Sequence, residues 1–412
     1  MEKSMQSVVG VGGRASKRCV VISVNSAWNI FNFRRGLIAE IKRSGFEVVL
    51  ASHPDEFVGR LKADGCRYQP LPIVSDGTSP IGDIGLLLGY LRVFRSARPA
   101  VYLGYTIKPN IYGTLAARLC GVPVINNVAG LGTAFTRETW LTRLVTALYR
   151  LAFRGSHTVF FQNADDRTLF VERRIVDRGK TGVLPGSGID LTGFQPVPLP
   201  SETCEKTITL ILIARLLWDK GVLEFVEAAR LVRRHRPDVR FQLLGFLDAE
   251  NRTAVDRTSV ERWVAEGIIE YLGSTDDVRP FIAGADCVVL PSFYREGTPR
   301  TLLEGAAMGR PLIATDVTGC RDVVEDGVNG LLCKARDAAD LAKKMLEFVD
   351  LSPGARACMG RAGRAKVERQ FDERIVIDRY LEVIDEILGQ RRERPASLPS
   401  LRDRMPPHSP TT

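Results

Sequence analysis

The sequence predicts an α/β protein with two domains, each a parallel β-sheet covered by helices. Short apolar runs rich in β-branched residues alternate with helical segments, which is typical of strands buried in a parallel sheet. This alternation occurs twice, on either side of a proline-rich linker predicted at 191–206. A chain of 412 residues is long enough for two domains of ordinary size.

The first alternation predicts a domain over residues 18–190, preceded by a flexible leader at 1–17. The apolar run at 18–24 is its first strand. The predicted elements after it are helix 32–44, strand 46–50, a helix ending at Asp64, helix 79–98, strand 100–103, a helix ending at Cys120, strand 122–127, helix 140–154 and strand 158–162.

Polar and aromatic side chains follow the strands of the first domain at their carboxyl ends. Asn25 and Trp28 come after strand 18–24, Lys108 lies in the loop after strand 100–103, and Asn127 ends strand 122–127. Ligands of parallel α/β sheets bind beyond the carboxyl ends of the strands. We therefore expect these residues to lie near a cleft.

The second alternation predicts a domain over residues 207–370, a last helix at 371–388 and a disordered tail at 389–412. Its first strand, 207–214, is apolar throughout and is therefore expected to be fully buried. The elements predicted after it are helix 222–234, strand 240–245, strand 268–273 followed by Ser274, helix 276–284, strand 285–291, helix 301–308, strand 312–315, and helices 337–349 and 353–369.

Two cations follow the first strand of the second domain. Arg215 comes directly after the strand, and Lys220 precedes the next helix. Both are expected at the carboxyl edge of the sheet, facing the cleft. An arginine there offers a forked contact to a diphosphate and a lysine a point charge.

The stretch from 285 to 315 predicts a strand, a loop, a helix and a second strand. Thr298 has the position of a helix N-cap, and Pro299 that of the first helical residue. Free backbone N–H groups at such a helix start bind phosphates, and Gly297 keeps the approach open. Two carboxylates bracket this turn, Glu296 on the loop and Glu304 inside the helix.

The spacing Glu296-x7-Glu304 before a Gly-Arg-Pro turn, together with Arg215 and Lys220, resembles the nucleotide-sugar-binding half of the retaining GT-B glycosyltransferases of family 4. The resemblance covers roughly residues 18–388. It implies two Rossmann-like domains that face each other across a cleft, with the last helix crossing back to brace the first domain. It also implies transfer of a sugar with retention of its anomeric configuration.

The resemblance implies roles for the residues of the second domain. Arg215, Lys220 and the amides from Gly297 through Thr298 and beyond Pro299 would hold the leaving diphosphate. Glu304 would bind the ribose hydroxyls, and Ser274 would lie near the nucleobase. Glu296 would hold sugar hydroxyls and face the positive charge that develops at the anomeric carbon. Glu296, Arg215 and Lys220 are thus the predicted catalytic residues.

Two further segments, 294–300 and 106–110, look like those of enzymes that extend polyprenyl-diphosphate-linked sugars with a hexose or N-acetylhexosamine. A UDP-sugar is then the expected donor, with GDP-mannose left open, and a lipid-linked saccharide the expected acceptor. Asn25, Trp28, Lys108 and Asn127 become acceptor-side candidates. The sequence departs from the family where many members have a glycine pair near Asn25 and a histidine near Asn127.

Composition argues against a metal site and against disulfides. The sequence has four histidines, no Asp-x-Asp, and eight cysteines without a Cys-x-x-Cys pair. Scattered cysteines in apolar runs are typical of a reducing compartment. We expect neither a metal nor another cofactor, since the nucleotide sugar is a substrate. We also expect no signal peptide and no membrane span, which predicts a cytoplasmic protein, with peripheral attachment to the inner face of the cytoplasmic membrane left open.

Charge is distributed unevenly along the chain. Residues 1–199 contain 25 Lys and Arg against 14 Asp and Glu, a balance of +11, whereas residues 200–412 have a balance of −2. No nucleic-acid motif accompanies the basic half. The helix at 140–154 is amphipathic, with arginines on its polar side, which is compatible either with core packing or with an anionic membrane surface.

Two other functions remain open from the sequence. A UDP-sugar 2-epimerase shares the GT-B fold but needs acid–base groups in the cleft, and this sequence is poor in histidine. A non-catalytic nucleotide-sugar-binding protein would not need the complete set of four charged residues. Incubation with a donor alone, without acceptor, distinguishes an epimerase from a transferase.

Overall fold

A computed structural model describes residues 18–73, 79–130, 140–200, 207–247, 253–294 and 297–389. Within these ranges it confirms the predicted architecture, because the strands form two separate sheets in which every pairing is parallel. The predicted leader, most of the predicted tail and the end of the predicted linker lie outside the described residues. So does Glu296.

The first sheet has seven strands in the order β3-β2-β1-β4-β5-β6-β7. Their bounds are β1 Cys19–Ser26, β2 Glu47–His53, β3 Arg67–Pro70, β4 Val101–Tyr105, β5 Val124–Val128, β6 Thr158–Phe161 and β7 Thr181–Val183. The second sheet has six strands in the order β10-β9-β8-β11-β12-β13. Their bounds are β8 Thr209–Ile213, β9 Arg240–Leu244, β10 Glu270–Tyr271, β11 Cys287–Leu290, β12 Leu312–Thr315 and β13 Gly330–Cys333.

Helices connect the strands and cover the sheets. In the first domain they are α1 Ala27–Arg43, α2 Val58–Ala63, α3 Pro80–Ala97, a π-helical turn Pro109–Gly113 that continues into α4 Thr114–Leu119, α5 Trp140–Phe153 and α6 Ala164–Glu172. In the second they are α7 Val222–Arg233, α8 Arg257–Ala265, α9 Arg279–Ala283, α10 Arg300–Ala307, α11 Cys320–Val323, α12 Ala338–Val349 and α13 Pro353–Gln370. The last helix is α14 Glu373–Ile387.

In each sheet the order in which successive strands are added reverses near the centre, and this switch point positions the cleft. In the first sheet β1 lies between β2 and β4, and in the second β8 lies between β9 and β11. Ligands bind in the crevice outside the carboxyl ends of strands at such a switch point. The residues after β1 and β4 in one domain, and after β8 and β11 in the other, therefore lie where a shared ligand would bind.

The start of α1 differs from the prediction. The sequence analysis began this helix at residue 32, whereas α1 begins at Ala27. The side chain of Ser26 caps the helix by accepting a hydrogen bond from the Asn29 amide at 3.2 Å. Asn25 consequently lies at the end of a strand and Trp28 in the first helical turn.

Helix α14 follows the second domain in sequence but packs on the first, as the resemblance implied. Val376, Tyr380 and Ile384 share a buried cluster with Ile30 and Leu103 of the first domain. Backbone bonds fix its start, because the Ile189 amide donates to the Phe371 carbonyl at 2.8 Å and the Glu373 amide donates to the Ile189 carbonyl at 3.1 Å. This helix therefore ties the two domains together.

We expect Tyr380→Ala to destabilise the protein although the residue lies in the last helix. Tyr380 is buried, its ring centroid lies 5.3 Å from that of Phe160, and its hydroxyl accepts a hydrogen bond from Asn127 at 3.0 Å. Truncating a buried aromatic side chain costs about 3–5 kcal/mol. Denaturant unfolding measures the loss. The neighbouring exposed Arg379→Ala is the control, and equal stability of the two variants would contradict the packing role of α14.

Candidate active site

The carboxyl ends of β8, β9 and β10 lie side by side. The Ala214 amide donates to the Leu244 carbonyl at 3.1 Å, and the Gly245 amide donates to the Gly273 carbonyl at 2.8 Å. Arg215 and Ser274 each come one residue later, and both are exposed. The structure therefore brings these two predicted site residues to the same edge of the second sheet.

Lys220 is fixed to the loop that follows β11. It ends a 3₁₀ turn, Trp218–Lys220, in which the Asp219 carbonyl accepts hydrogen bonds from the Phe293 and Tyr294 amides at 3.0 and 3.1 Å. The ammonium of Lys220 lies 5.1 Å from the ring centroid of Tyr294. The turn and the loop that leads to position 296 are thus held as one unit.

Gly221 allows this close approach. Its φ of 75° is in the left-handed region, and a Cβ there would collide with the Pro291 carbonyl oxygen. Any larger residue would separate the Lys220 turn from the loop after β11.

The loop at 297–298 contacts the first domain. The Thr298 amide donates to Gln162 Oε1 at 3.3 Å, and the Thr298 hydroxyl donates to the Gln162 carbonyl at 3.2 Å. Gly297 lies so close that a Cβ there would collide with the same Oε1. Gln162 follows β6, so the contact joins the carboxyl edges of the two sheets.

The predicted cap of the next helix is wrong. Pro299 is the N-cap residue rather than the first helical residue, no side chain caps the helix, and α10 begins at Arg300. Thr298 does not cap because its hydroxyl is bound to Gln162 across the domain boundary. Its amide is also engaged, which leaves the first-turn amides of α10 as the helix donors that lack an intrahelical partner.

Glu304 lies one turn into α10, with only 12% of its side chain exposed. Arg300 Nε donates to Glu304 Oε1 at 3.0 Å, and Arg300 Nη1 donates to the Gly188 carbonyl of the first domain at 3.0 Å. Burial raises the pKa of Glu304, while the Arg300 charge opposes that rise. Glu304 is therefore a largely buried carboxylate at the junction of the two domains.

The first-domain candidates have different surroundings. Trp28 is 42% exposed, and its ring meets that of Phe33 edge to face with centroids 5.2 Å apart. Phe33 in turn lies against the Arg300 guanidinium, 5.3 Å from ring centroid to Cζ. Trp28 is thereby connected to the cleft, and Asn25 lies close by at the end of β1.

Lys108 and Asn127 already have partners inside the first domain. Lys108 Nζ forms an ion pair with Asp83 at 2.9 Å, and both side chains are mostly covered. Asn127 is buried and donates to the Tyr380 hydroxyl at 3.0 Å. An acceptor that used either residue would have to compete with these contacts.

Three residues at the domain junction were missed by the sequence analysis: Phe33, Gln162 and Arg300. Two of them had a signal. Gln162 follows a strand at its carboxyl end, as Asn127 does, and Arg300 stands four residues before Glu304, the spacing at which side chains meet on a helix. Phe33 had none, because nothing local shows that a helix residue faces another domain.

Family comparisons cover most of the chain. A protein-family model described as glycosyl transferases group 1 matches residues 207–350. A second family model, described as a glycosyl transferase 4-like domain, matches residues 32–186. The chain belongs to family 4 of the GT-B glycosyltransferases. It is an enzyme of the glycosyltransferase class, and the two matched regions cover β2 to β7 of the first sheet and all six strands of the second.

Curated relatives of this glycosyltransferase come from bacteria. An N,N'-diacetylbacillosaminyl-diphospho-undecaprenol alpha-1,3-N-acetylgalactosaminyltransferase of Campylobacter jejuni is 28% identical over 87% of this chain and 96% of its own. A UDP-Gal:alpha-D-GlcNAc-diphosphoundecaprenol alpha-1,3-galactosyltransferase of Escherichia coli is 25% identical over 70% of this chain and 76% of its own.

Solved structures support the fold. A glycosyltransferase from Rickettsia africae matches with a TM-score of 0.74 at 18% identity, covering 91% of this chain and 100% of the other. HepE of Anabaena in complex with UDP-glucose matches with a TM-score of 0.73 at 18% identity, covering 89% and 99%. At such identities the likeness concerns the arrangement of the two sheets and not the substrates.

None of the helices in the described ranges has the length and apolar character needed to cross a membrane. Nor do the histidine, cysteine, aspartate and glutamate side chains in the same ranges form a group of three or more that would hold a metal ion.

We expect Gly221→Ala to destabilise the glycosyltransferase more than Gly267→Ala. Both glycines have φ near 70°, at 75° and 68°, but a Cβ at Gly267 would meet open space. The control thus measures the left-handed backbone penalty alone, about 1–2 kcal/mol. Gly221→Ala adds the collision with Pro291. Equal denaturation midpoints in the two variants would show that the Lys220 turn does not depend on this close approach.

Proposed function

We propose that this glycosyltransferase moves a hexose or N-acetylhexosamine from a nucleotide diphosphate sugar to a polyprenyl-diphosphate-linked saccharide during surface polysaccharide or glycan synthesis. A UDP-sugar is the favoured donor. One observation carries the proposal: the edge of the second sheet that faces the first domain brings together Arg215, Lys220, the start of α10 and the largely buried Glu304. The names of the Campylobacter and Escherichia coli relatives support a diphospho-undecaprenol acceptor.

The chemistry requires a stabilised leaving group. As the sugar–diphosphate bond lengthens, negative charge grows on the diphosphate. Arg215, Lys220 and the first-turn amides of α10 would stabilise that charge without a metal ion. The Thr298 amide would contribute only after leaving Gln162.

The remaining roles follow the family resemblance. Glu304 would accept hydrogen bonds from the ribose hydroxyls, and Ser274 would lie near the nucleobase. Glu296 would hold sugar hydroxyls on the face where positive charge develops. The leaving diphosphate oxygen would assist deprotonation of the acceptor hydroxyl, which gives retention of configuration.

The two alternative functions from the sequence analysis, a UDP-sugar 2-epimerase and a non-catalytic binding protein, are less well supported. The relatives are transferases by name, which disfavours a binding protein without catalysis and a 2-epimerase. An epimerase would convert UDP-GlcNAc without any acceptor, whereas a transferase needs one. Donors would be screened by thermal shift, and those that bind would be tested with a short polyprenyl-diphosphate sugar.

We expect Arg215→Ala and Glu304→Ala to abolish turnover while the fold stays intact. For Arg215, removing one contact to a developing charge commonly costs about 10²–10³ in rate. Glu304→Ala removes the proposed ribose contact that places the donor. The measurement is kcat/KM for the donor identified in the screen.

Arg240→Ala and Glu270→Ala are matched controls, because this surface ion pair, 2.8 Å apart, joins the amino end of β9 to β10. Both controls should keep near-normal kinetics. Near-normal kinetics in Arg215→Ala or Glu304→Ala would refute the site.

We further propose that the enzyme works at the inner membrane surface, where its lipid-linked acceptor is held. Helix α5 exposes Trp140, Leu144 and Leu151 to solvent, with Arg143 and Arg154 beside them. Basic helices with exposed apolar residues bind anionic bilayers through both burial and charge.

Helix α3 has a similar exposed face. Ile81, Ile84 and Leu88 are exposed at helical spacing, and Arg92 and Arg95 follow them on the outside. Both α3 and α5 pack against α4, so their exposed faces belong to the same side of the first domain. An anionic bilayer matches this combination of apolar and basic residues.

Leu144→Glu and Ile84→Glu should weaken sedimentation with vesicles that contain anionic lipid, since each change puts a negative charge into the apolar face. Leu223→Glu is the matched control, because Leu223 lies on the second domain and is 43% exposed, as is Leu144. Binding that is equal with neutral and anionic vesicles, or equally weakened by the control, would contradict the membrane proposal.

A further inference from the structure

Arg300 connects the proposed nucleotide site with the opposite domain. One side of its guanidinium donates to Glu304 on the same helix, and another nitrogen donates to the Gly188 carbonyl, each at 3.0 Å. The Phe33 ring of α1 lies against the same guanidinium. Three contacts therefore fix the orientation of Arg300, and two of them come from the first domain.

The first-domain side of this connection is anchored by backbone hydrogen bonds and by core packing. Gly188 is followed by Ile189, whose amide and carbonyl both form backbone hydrogen bonds at the start of α14. Phe33 lies in the middle of α1, a helix whose buried residues belong to the first-domain core. Arg300 therefore takes its position from the core of the first domain.

The contact is sheltered from solvent. Arg300 has 21% of its side chain exposed and Glu304 has 12%. Charge-assisted hydrogen bonds are stronger than neutral ones, and they are screened less when they are partly buried. This pair therefore differs from the exposed helix ion pairs, which contribute little.

We propose that Arg300 is a positioning residue for the donor: it orients the Glu304 carboxylate for the ribose hydroxyls and transmits the placement of the first domain to the nucleotide site. The inference rests on the proposed function, since Glu304 is the proposed ribose ligand. Arg300 itself need not touch the substrate.

The charges around Arg300 and Glu304 determine how the effect of losing Arg300 depends on pH. Burial raises the pKa of Glu304, Arg300 lowers it, and Asp277 raises it further. Glu373, whose own pKa is raised by burial, and Asp190 also lie within the electrostatic reach of Arg300. Without Arg300 the Glu304 carboxylate would bind a proton at higher pH, so ribose binding would be lost earlier as the pH falls.

The test measures donor KM and kcat from about pH 5.5 to pH 8.5 for the wild type, Arg300→Gln, Arg300→Lys and Glu304→Gln. Arg300→Gln should raise donor KM about tenfold, the effect of losing a hydrogen bond to a charged group. The increase should be largest at low pH. Arg300→Lys should restore the pH profile in part, because it keeps the positive charge but loses the paired N–H donors of the guanidinium. In the double variant, Arg300→Gln should add little to Glu304→Gln.

A first-domain variant tests the connection across the cleft. Phe33→Leu removes the ring beneath the guanidinium and should raise donor KM about two- to fivefold, the value of a cation–π contact. Arg379→Gln is the control, because Arg379 also pairs with a glutamate on its own helix, at 2.9 Å, but on α14.

Several outcomes would overturn the proposal. They are a normal donor KM in Arg300→Gln at every pH, full additivity with Glu304→Gln, an unchanged KM in Phe33→Leu, or the same KM shift in Arg379→Gln. Failure of the proposed function has a separate signature: the wild type would turn over no nucleotide sugar, or Glu304→Gln would leave donor KM unchanged.

Discussion

The two sheets meet through the carboxyl edges of their strands, and the rest of the site depends on this contact. Thr298 of the second domain donates both its amide and its hydroxyl to Gln162 of the first. Because the loop after β11 carries both this contact and the approach to α10, it cannot shift without moving the proposed phosphate donors. Helix α14, which crosses from the second domain to the first, joins the two domains at a second place.

The charged groups considered in the cleft are side chains. The described residues contain no cluster of side chains that would hold a metal ion. Arg215 is exposed at the end of β8, whereas Lys220 belongs to a turn that is bound to the loop after β11. The two cations therefore differ in their surroundings: the Arg215 side chain is exposed, whereas the Lys220 ammonium lies against the Tyr294 ring. Glu304 completes the set as a carboxylate whose orientation depends on an arginine.

The junction also explains why a nucleotide site would respond to the first domain. Arg300 contacts Glu304, Gly188 and Phe33 at once, so its geometry exists only when the two domains have this relation. Helix α10 is short, and its first turn carries both the amides for an anion and the arginine that orients Glu304. The groups proposed to bind the donor and the arginine that contacts the first domain thus lie in the same helical turn.

The sequence by itself determined the two parallel sheets, since short β-branched apolar runs such as 207–214 alternate with helical segments on both sides of the linker, and it identified the family through Glu296, Glu304, Arg215 and Lys220. Only the tertiary structure decided that Thr298 binds Gln162 rather than capping α10, that Lys108 pairs with Asp83, and that Arg300 reaches Gly188. The physical reason is distance along the chain. Local patterns report which groups a segment offers, whereas the partner of each group comes from a segment that only folding brings near.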